Sequence, residues 1–219
     1  AIINTLDDQD IRLCSGDRLT PRRFQQLGMH LGMSDGREAI HYLIESAFPA
    51  GASDPVFHTG FLRAFENSLS FDTNPIFTLL HEACYTQGFA SNWSAERLRP
   101  EFPEFSLDPQ KPVFLTGEMM WRGAFDEISA LAPLKEAAEL LAAKEDWPSL
   151  YDPDALRENT VPVAAAVYEN DMYVEREYSL ETAAAIRGAR VWRTADFEHN
   201  GLRADGPNIL TRLLGMTRA

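Results

Sequence analysis

Up to about Asn159 the apolar residues recur at the three- and four-residue spacing of amphipathic helices, and beyond it they gather into short continuous runs. Thr20-Pro21 pairs an N-cap hydroxyl with proline at the first helical position and leads a predicted helix over 22–31. Ser34 or Asp35 opens a helix that buries Ile40, Leu43, Ile44 and Ala47. Helices over 57–69 and 76–87 follow, the second started by Asn74-Pro75 and stopped by Gly88. Leu134, Ala137, Ala138, Leu140 and Leu141 then form one apolar stripe that ends before Trp147-Pro148.

The pattern changes at Val161. Residues 161–168, rich in valine and alanine, suit a strand covered on both faces; 179–187 reads as helix, 189–194 as a second strand and 208–216 as a closing helix. The alternation predicts an α/β fold with a parallel sheet, but two strands are too few to bury one. The remaining strands are therefore expected from sequence outside these residues or from another chain. The loops at 100–112 and 147–153 are the candidate boundaries, and no internal repeat is present.

In open parallel sheets, ligands gather beyond the carboxyl ends of the strands, and Asp171 and His199 each follow a predicted strand. An aspartate so placed can accept the imidazole Nδ1 proton and stabilise the imidazolium, leaving Nε2 to take a proton from a hydroxyl nucleophile. Acid before histidine is the order of the α/β-hydrolase triad, but no nucleophile elbow is expected here, since no serine follows a hydrophobic strand in the strand-to-helix turn that G-x-S-x-G marks. Ser15 and Ser53 lack paired glycines; Ser34 has them, in Gly32-Met33-Ser34-Asp35-Gly36, but like the others it has no preceding strand, and all three read as caps and turns.

The residues on either side of these positions resemble a known family. The stretch from Val161 to Val174, the segment Phe197-Glu198-His199-Asn200-Gly201-Leu202-Arg203, and the helical-region segments running from Gly16 to Phe24, Leu31 to Gly36 and Leu115 to Met120 are together similar to the proline iminopeptidases, or prolyl aminopeptidases, above all the larger bacterial ones. The resemblance covers nearly the whole chain. It implies a fragment of an α/β-hydrolase in which residues 1–159 are a helical cap domain and residues 160–219 the end of the core, with the last two β/α units. It also implies a serine peptidase that releases an amino-terminal proline or similar residue from a peptide with a free amino terminus, needing no metal or organic cofactor. Asp171 and His199 take the catalytic positions.

Recognition of a substrate ammonium calls for a carboxylate. Glu118, in Gly117-Glu118-Met119-Met120-Trp121, matches the family segment in which a cap glutamate precedes a hydrophobic and aromatic pair, with an altered aromatic pattern. Glu82, in His81-Glu82-Ala83-Cys84-Tyr85, departs further from the family's tryptophan-rich version. Trp121, Phe125, Phe89, Trp93 and Tyr85 either line an apolar pocket for a proline ring or simply pack the core. His30, His41, His58 and His81 do not share a helix at i, i+4 with a supporting carboxylate, so no zinc site is expected.

Composition narrows the alternatives. The 219 residues, 45% hydrophobic and 11% aromatic, suffice for one large or two modest packed domains. Thirty-three acidic against 20 basic residues give a net charge of −13, which argues against nucleic acid and anionic membrane partners and is compatible with a cationic substrate. Cys14 and Cys84 read as buried thiols in a reducing cytoplasm, and no signal pattern or membrane-spanning run is seen. Without the serine the chain alone is expected to be inactive, its partner being the missing nucleophile-bearing half of the hydrolase. An epoxide hydrolase or esterase of the same fold, or a non-catalytic helical binding module that hides an exposed apolar surface by dimerising, are the competing readings.

Overall fold

A computed structural model describes residues 1–51, 56–69, 71–108 and 110–218; Ser53 lies outside the described residues. The chain divides into two compact units, one made of residues 1–29 and 38–148 and the other of 30–37 and 149–219. The helices in chain order are α1 (Ile2–Asp8), α2 (Pro21–Gln25), α3 (Gly36–Glu45), α4 (Thr59–Ser68), α5 (Pro75–Leu80), α6 (Ser94–Leu98), α7 (Ala124–Glu127), α8 (Lys135–Ala142), α9 (Pro153–Arg157), α10 (Arg176–Ala185) and α11 (Gly201–Arg218). The strands are β1 (Val163–Tyr168) and β2 (Ala189–Thr194).

The first unit is helical among its described residues, apart from an isolated antiparallel bridge between Arg12 and Arg18. Two apolar clusters hold it. One joins Leu6, Leu19, Phe24 and Leu27 to Phe61 and Phe65 of α4; the other surrounds Phe71, Met120, Trp121, Phe125, Ile128 and Leu131. The predicted start of α2 is present, with Thr20 Oγ accepting the N–H of Arg23 at 3.1 Å. The helix does not run to Leu31 as expected. Gln25 gives its carbonyl to the N–H of Thr116 at 2.8 Å, so the α ladder loses an acceptor and the chain tightens into a 3₁₀ segment over Gln26–Gly32.

The predicted helix over 76–87 is likewise divided, into α5 and a 3₁₀ turn at Glu82–Tyr85. At the division the His81 ring lies against the carbonyl of Glu118, and the Glu82 carboxylate accepts the N–H groups of Ser94 and Ala95. Two burial expectations fail. Ile44 on α3 is exposed while Ile40 and Ala47 are buried, because the apolar stripe of that helix is narrower than its sequence suggests. Cys14 and Cys84 are exposed rather than buried.

In the second unit, β1 and β2 pair in parallel, Val163 opposite Ala189 through Tyr168 opposite Thr194. β1 starts later than predicted because Asn159 caps the chain before it: its side chain donates to the carbonyl of Val161 and accepts that residue's N–H, and Pro162 has no N–H to give. Glu175 caps α10 by accepting the N–H of Glu177, and α10 starts and stops before the limits expected for it. The last helix reaches back to Gly201 and breaks at Asp205, just ahead of Pro207. Val167 and Ile209 are the large apolar side chains buried in this unit among the described residues. Leu202, Leu210 and Leu214 of α11 stay exposed, as expected of a sheet with so few strands.

Loss of a fully buried ring in the first cluster should dominate stability. Phe61→Ala is expected to cost about 3–5 kcal/mol in denaturant titration. Tyr42→Ala, at a side chain 66% exposed, is expected to stay within about 0.5 kcal/mol.

Candidate active site

Because β1 and β2 are parallel, both chains leave the sheet at the same edge, and the loops after Tyr168 and Thr194 carry Asp171 and His199. The two side chains meet there: His199 Nδ1 lies 3.1 Å from Asp171 Oδ2 and 3.2 Å from Oδ1. Asp171 Oδ1 also accepts the backbone N–H groups of Tyr173 at 2.8 Å and Val174 at 3.0 Å. These bonds form an Asx turn that points the carboxylate. The aspartate side chain is 7% exposed and the histidine 42%, so the acid is shielded while the imidazole reaches solvent. A carboxylate beside Nδ1 favours the tautomer with the proton on that nitrogen, which leaves the Nε2 lone pair free to accept. The tilted ring of Tyr173, its centroid 4.7 Å from the imidazole, packs on one face of it.

Glu118 and Glu82 lie in the first unit, where both line one cavity of about 270 Å³ with His81, Tyr85, Phe89, Ser91, Ser94, Met119 and Met120 among its walls. Their carboxylates differ in what they already hold. Glu82 accepts the N–H groups of Ser94 and Ala95, one on each oxygen and each at 3.0 Å, and so caps the first turn of α6. Glu118 approaches His81 Nδ1 only to 3.9 Å, while its backbone carbonyl lies 3.2 Å from His81 Nε2. The Glu118 side chain is 25% exposed. Burial, and then the negative charge of Glu118, push the Tyr85 phenol above its ordinary pKa.

Trp121 is 4% exposed and packs inside the second cluster, with the Arg22 guanidinium 5.5 Å from its ring; it does not line the cavity of the two glutamates. Phe125 is buried in that cluster too, and Trp93 packs against it. Of the five aromatic residues considered for an apolar wall, Tyr85 and Phe89 face the cavity. Asn92 and Trp93, just before α6, both have positive φ, 46° and 57°. A bulky residue is strained in that region, and the Glu82 cap on the next two residues helps to hold the turn. Asn92 was the available signal, since asparagine tolerates this region better than other non-glycine residues; Trp93 carried none.

No family model matches the sequence. The chain is homologous to curated proline iminopeptidases. It is 47% identical over 213 residues to the proline iminopeptidase of Aeromonas sobria, covering 97% of this chain and 49% of that protein. It is 32% identical over 216 residues to the proline iminopeptidase aneH of Aspergillus aculeatus, covering 98% of this chain and 48% of that protein. The chain thus spans about half the length of these relatives.

The two glutamates should respond differently to substitution. Glu82→Ala is expected to destabilise the chain by about 1–2 kcal/mol through the lost cap on α6. Glu118→Gln is expected to leave stability within about 0.5 kcal/mol. Chemical denaturation of the two variants side by side checks both; equal losses would show that Glu118 is as structurally committed as Glu82.

Proposed function

We propose that this chain supplies the acid-base half of a serine aminopeptidase that releases an amino-terminal proline, or a residue like it, from peptides. The observation that carries the reading is the Asp171–His199 pair at the carboxyl edge of two parallel strands. The identity with proline iminopeptidases over nearly the whole chain supports it. In this reading the serine belongs to sequence outside these 219 residues: their one G-x-S-x-G, Gly32-Met33-Ser34-Asp35-Gly36, follows a 3₁₀ segment instead of the strand an elbow needs, and its hydroxyl donates to Asn200.

The chemistry follows from the pair. His199 Nε2 takes the proton of the attacking hydroxyl as it adds to the carbonyl of the first residue. Asp171 stabilises the imidazolium and keeps the proton on Nδ1. The imidazolium then returns a proton to the leaving amine, and a water molecule activated in the same way releases the acyl group. The oxyanion donors, like the serine, lie outside these residues in this reading.

Glu118 is the better candidate for the substrate ammonium. An incoming cation gains most from a carboxylate that is not already accepting strong hydrogen bonds, and Glu82 has both oxygens engaged by backbone donors. The cavity they share is smaller than the roughly 300–1,000 Å³ typical of drug-sized ligands, which suits a single small residue against Tyr85 and Phe89. An esterase or epoxide hydrolase would use Asp171 and His199 without needing Glu118.

The 219-residue chain alone is expected to hydrolyse no prolyl arylamide, since loss of a triad nucleophile costs on the order of 10⁶ in kcat. Turnover by a contaminant-free preparation would refute the reading. In a polypeptide completed with a nucleophile-bearing half, Glu118→Gln is expected to lower kcat/KM on free-amino substrates roughly ten- to hundredfold and to spare simple esters. Equal losses on both substrate types would favour an esterase.

A further inference from the structure

The loop that carries His199 has little apolar packing to hold it. The second unit buries few large side chains, and the imidazole itself is substantially exposed. Its orientation must therefore come from polar contacts, and these lead to residues 30–37. By contact this short segment belongs to the unit of β1 and β2, although the sequence on either side of it, 1–29 and 38–148, forms the other unit.

Three hydrogen bonds join the segment to the histidine loop. The backbone N–H of His199 donates to the carbonyl of Gly32 at 3.1 Å. Asn200 Oδ1 accepts from both the backbone N–H of Ser34, at 3.1 Å, and its hydroxyl, at 2.8 Å. The segment is itself wound tightly, Met33 N–H donating to His30 and Gly36 N–H to Met33, each at 3.0 Å. Gly32 also lies flat against Tyr173: a Cβ there would stand 2.1 Å from Cε2 of that ring, so no side chain fits. Tyr173 is the residue that packs on the His199 ring and whose N–H Asp171 accepts.

These contacts close a circuit. Asp171 holds Tyr173, Tyr173 rests on Gly32 and on the imidazole, Gly32 holds the backbone of His199, and Ser34 holds Asn200. We propose that Gly32 and Ser34 are positioning residues for His199, forming a strap that keeps its Nδ1 turned to Asp171. This rests on the reading of Asp171 and His199 as the acid-base pair. Ser34, which resembles a helix cap in sequence, acts here at a distance along the chain, on a residue adjacent to the proposed base. A loop tied at two consecutive residues loses the rotation about its backbone that would swing the imidazole away from the carboxylate.

The exchange with water of the His199 Nδ1–H proton, followed by NMR in the 219-residue chain, tests the strap without requiring activity. Ser34→Ala is expected to speed that exchange about fivefold, and Asn200→Ala, which removes the shared acceptor, about twentyfold, while Ser34→Thr stays within about twofold of the unaltered chain. The backbone amides of β1 are expected to exchange as before in all three variants. Asp171→Asn is expected to remove the protected signal altogether. If both alanine variants match the unaltered chain while Asp171→Asn loses the signal, the strap is refuted and the pair stands. If β1 amides accelerate as much as the imidazole proton, the segment is an ordinary structural turn and the proposal is overturned. If Asp171→Asn keeps the signal, the pair itself is wrong, and the strap falls with it.

Discussion

The parallel pairing of Val163–Tyr168 with Ala189–Thr194 is the constraint on which the rest depends. In a parallel pair both strands point the same way, so the loops that follow them leave from one edge and their side chains can meet. An antiparallel pair of the same two strands would place Asp171 and His199 at opposite ends of the sheet. The register matters as much as the direction, because side chains alternate faces and a shift of one residue would turn each strand's outgoing chain to the other side. Once the loops emerge together, the carboxylate is aimed by the N–H groups of Tyr173 and Val174, so backbone geometry sets the position of the acid.

The two units solve the problem of order by different means. The helical unit has apolar clusters large enough to fix its loops by packing, and its special positions are secondary to that: the Glu82 cap, the positive φ of Asn92 and Trp93, and the Gln25–Thr116 bond all sit on a framework already buried. The strand-bearing unit has few buried side chains, and there hydrogen bonds from residues 32–34 take over the work of orientation. A bond of this kind contributes about 1 kcal/mol net. Several acting on adjacent residues are needed to hold an exposed imidazole in one direction.

Much of the fold is legible in the sequence. Thr20-Pro21, Asn74-Pro75 and the apolar run ending at Tyr168 announce their elements because caps, proline and β-branched runs act over a few residues. The errors have one kind of cause. α2 stops early because Thr116 takes the carbonyl of Gln25; the helix expected through residue 87 divides where the side chains of His81 and Glu82 reach other segments; Ile44 and both cysteines lie on the outside because neighbouring elements cover less than the pattern suggested. In the candidate site, the approach of Asp171 to His199 was expected from their places after two strands, and the two side chains do meet. The role of Ser34 was not, since its partner Asn200 is remote in sequence and a serine before a helix has a nearer use as a cap.

The amino-acid order alone determined the helical and strand-bearing regions and the residue types able to exchange a proton or meet a cation. These are local properties, set by side-chain chemistry and by periodicities of two and 3.6 residues. Which groups would meet was decided by the tertiary structure. It brought Asp171 to His199, spent Glu82 on a helix end while leaving Glu118 less engaged, and tied Ser34 to Asn200. The physical reason is that a hydrogen bond depends on distance and angle in space, and between residues far apart in sequence these are set only when the intervening chain has folded.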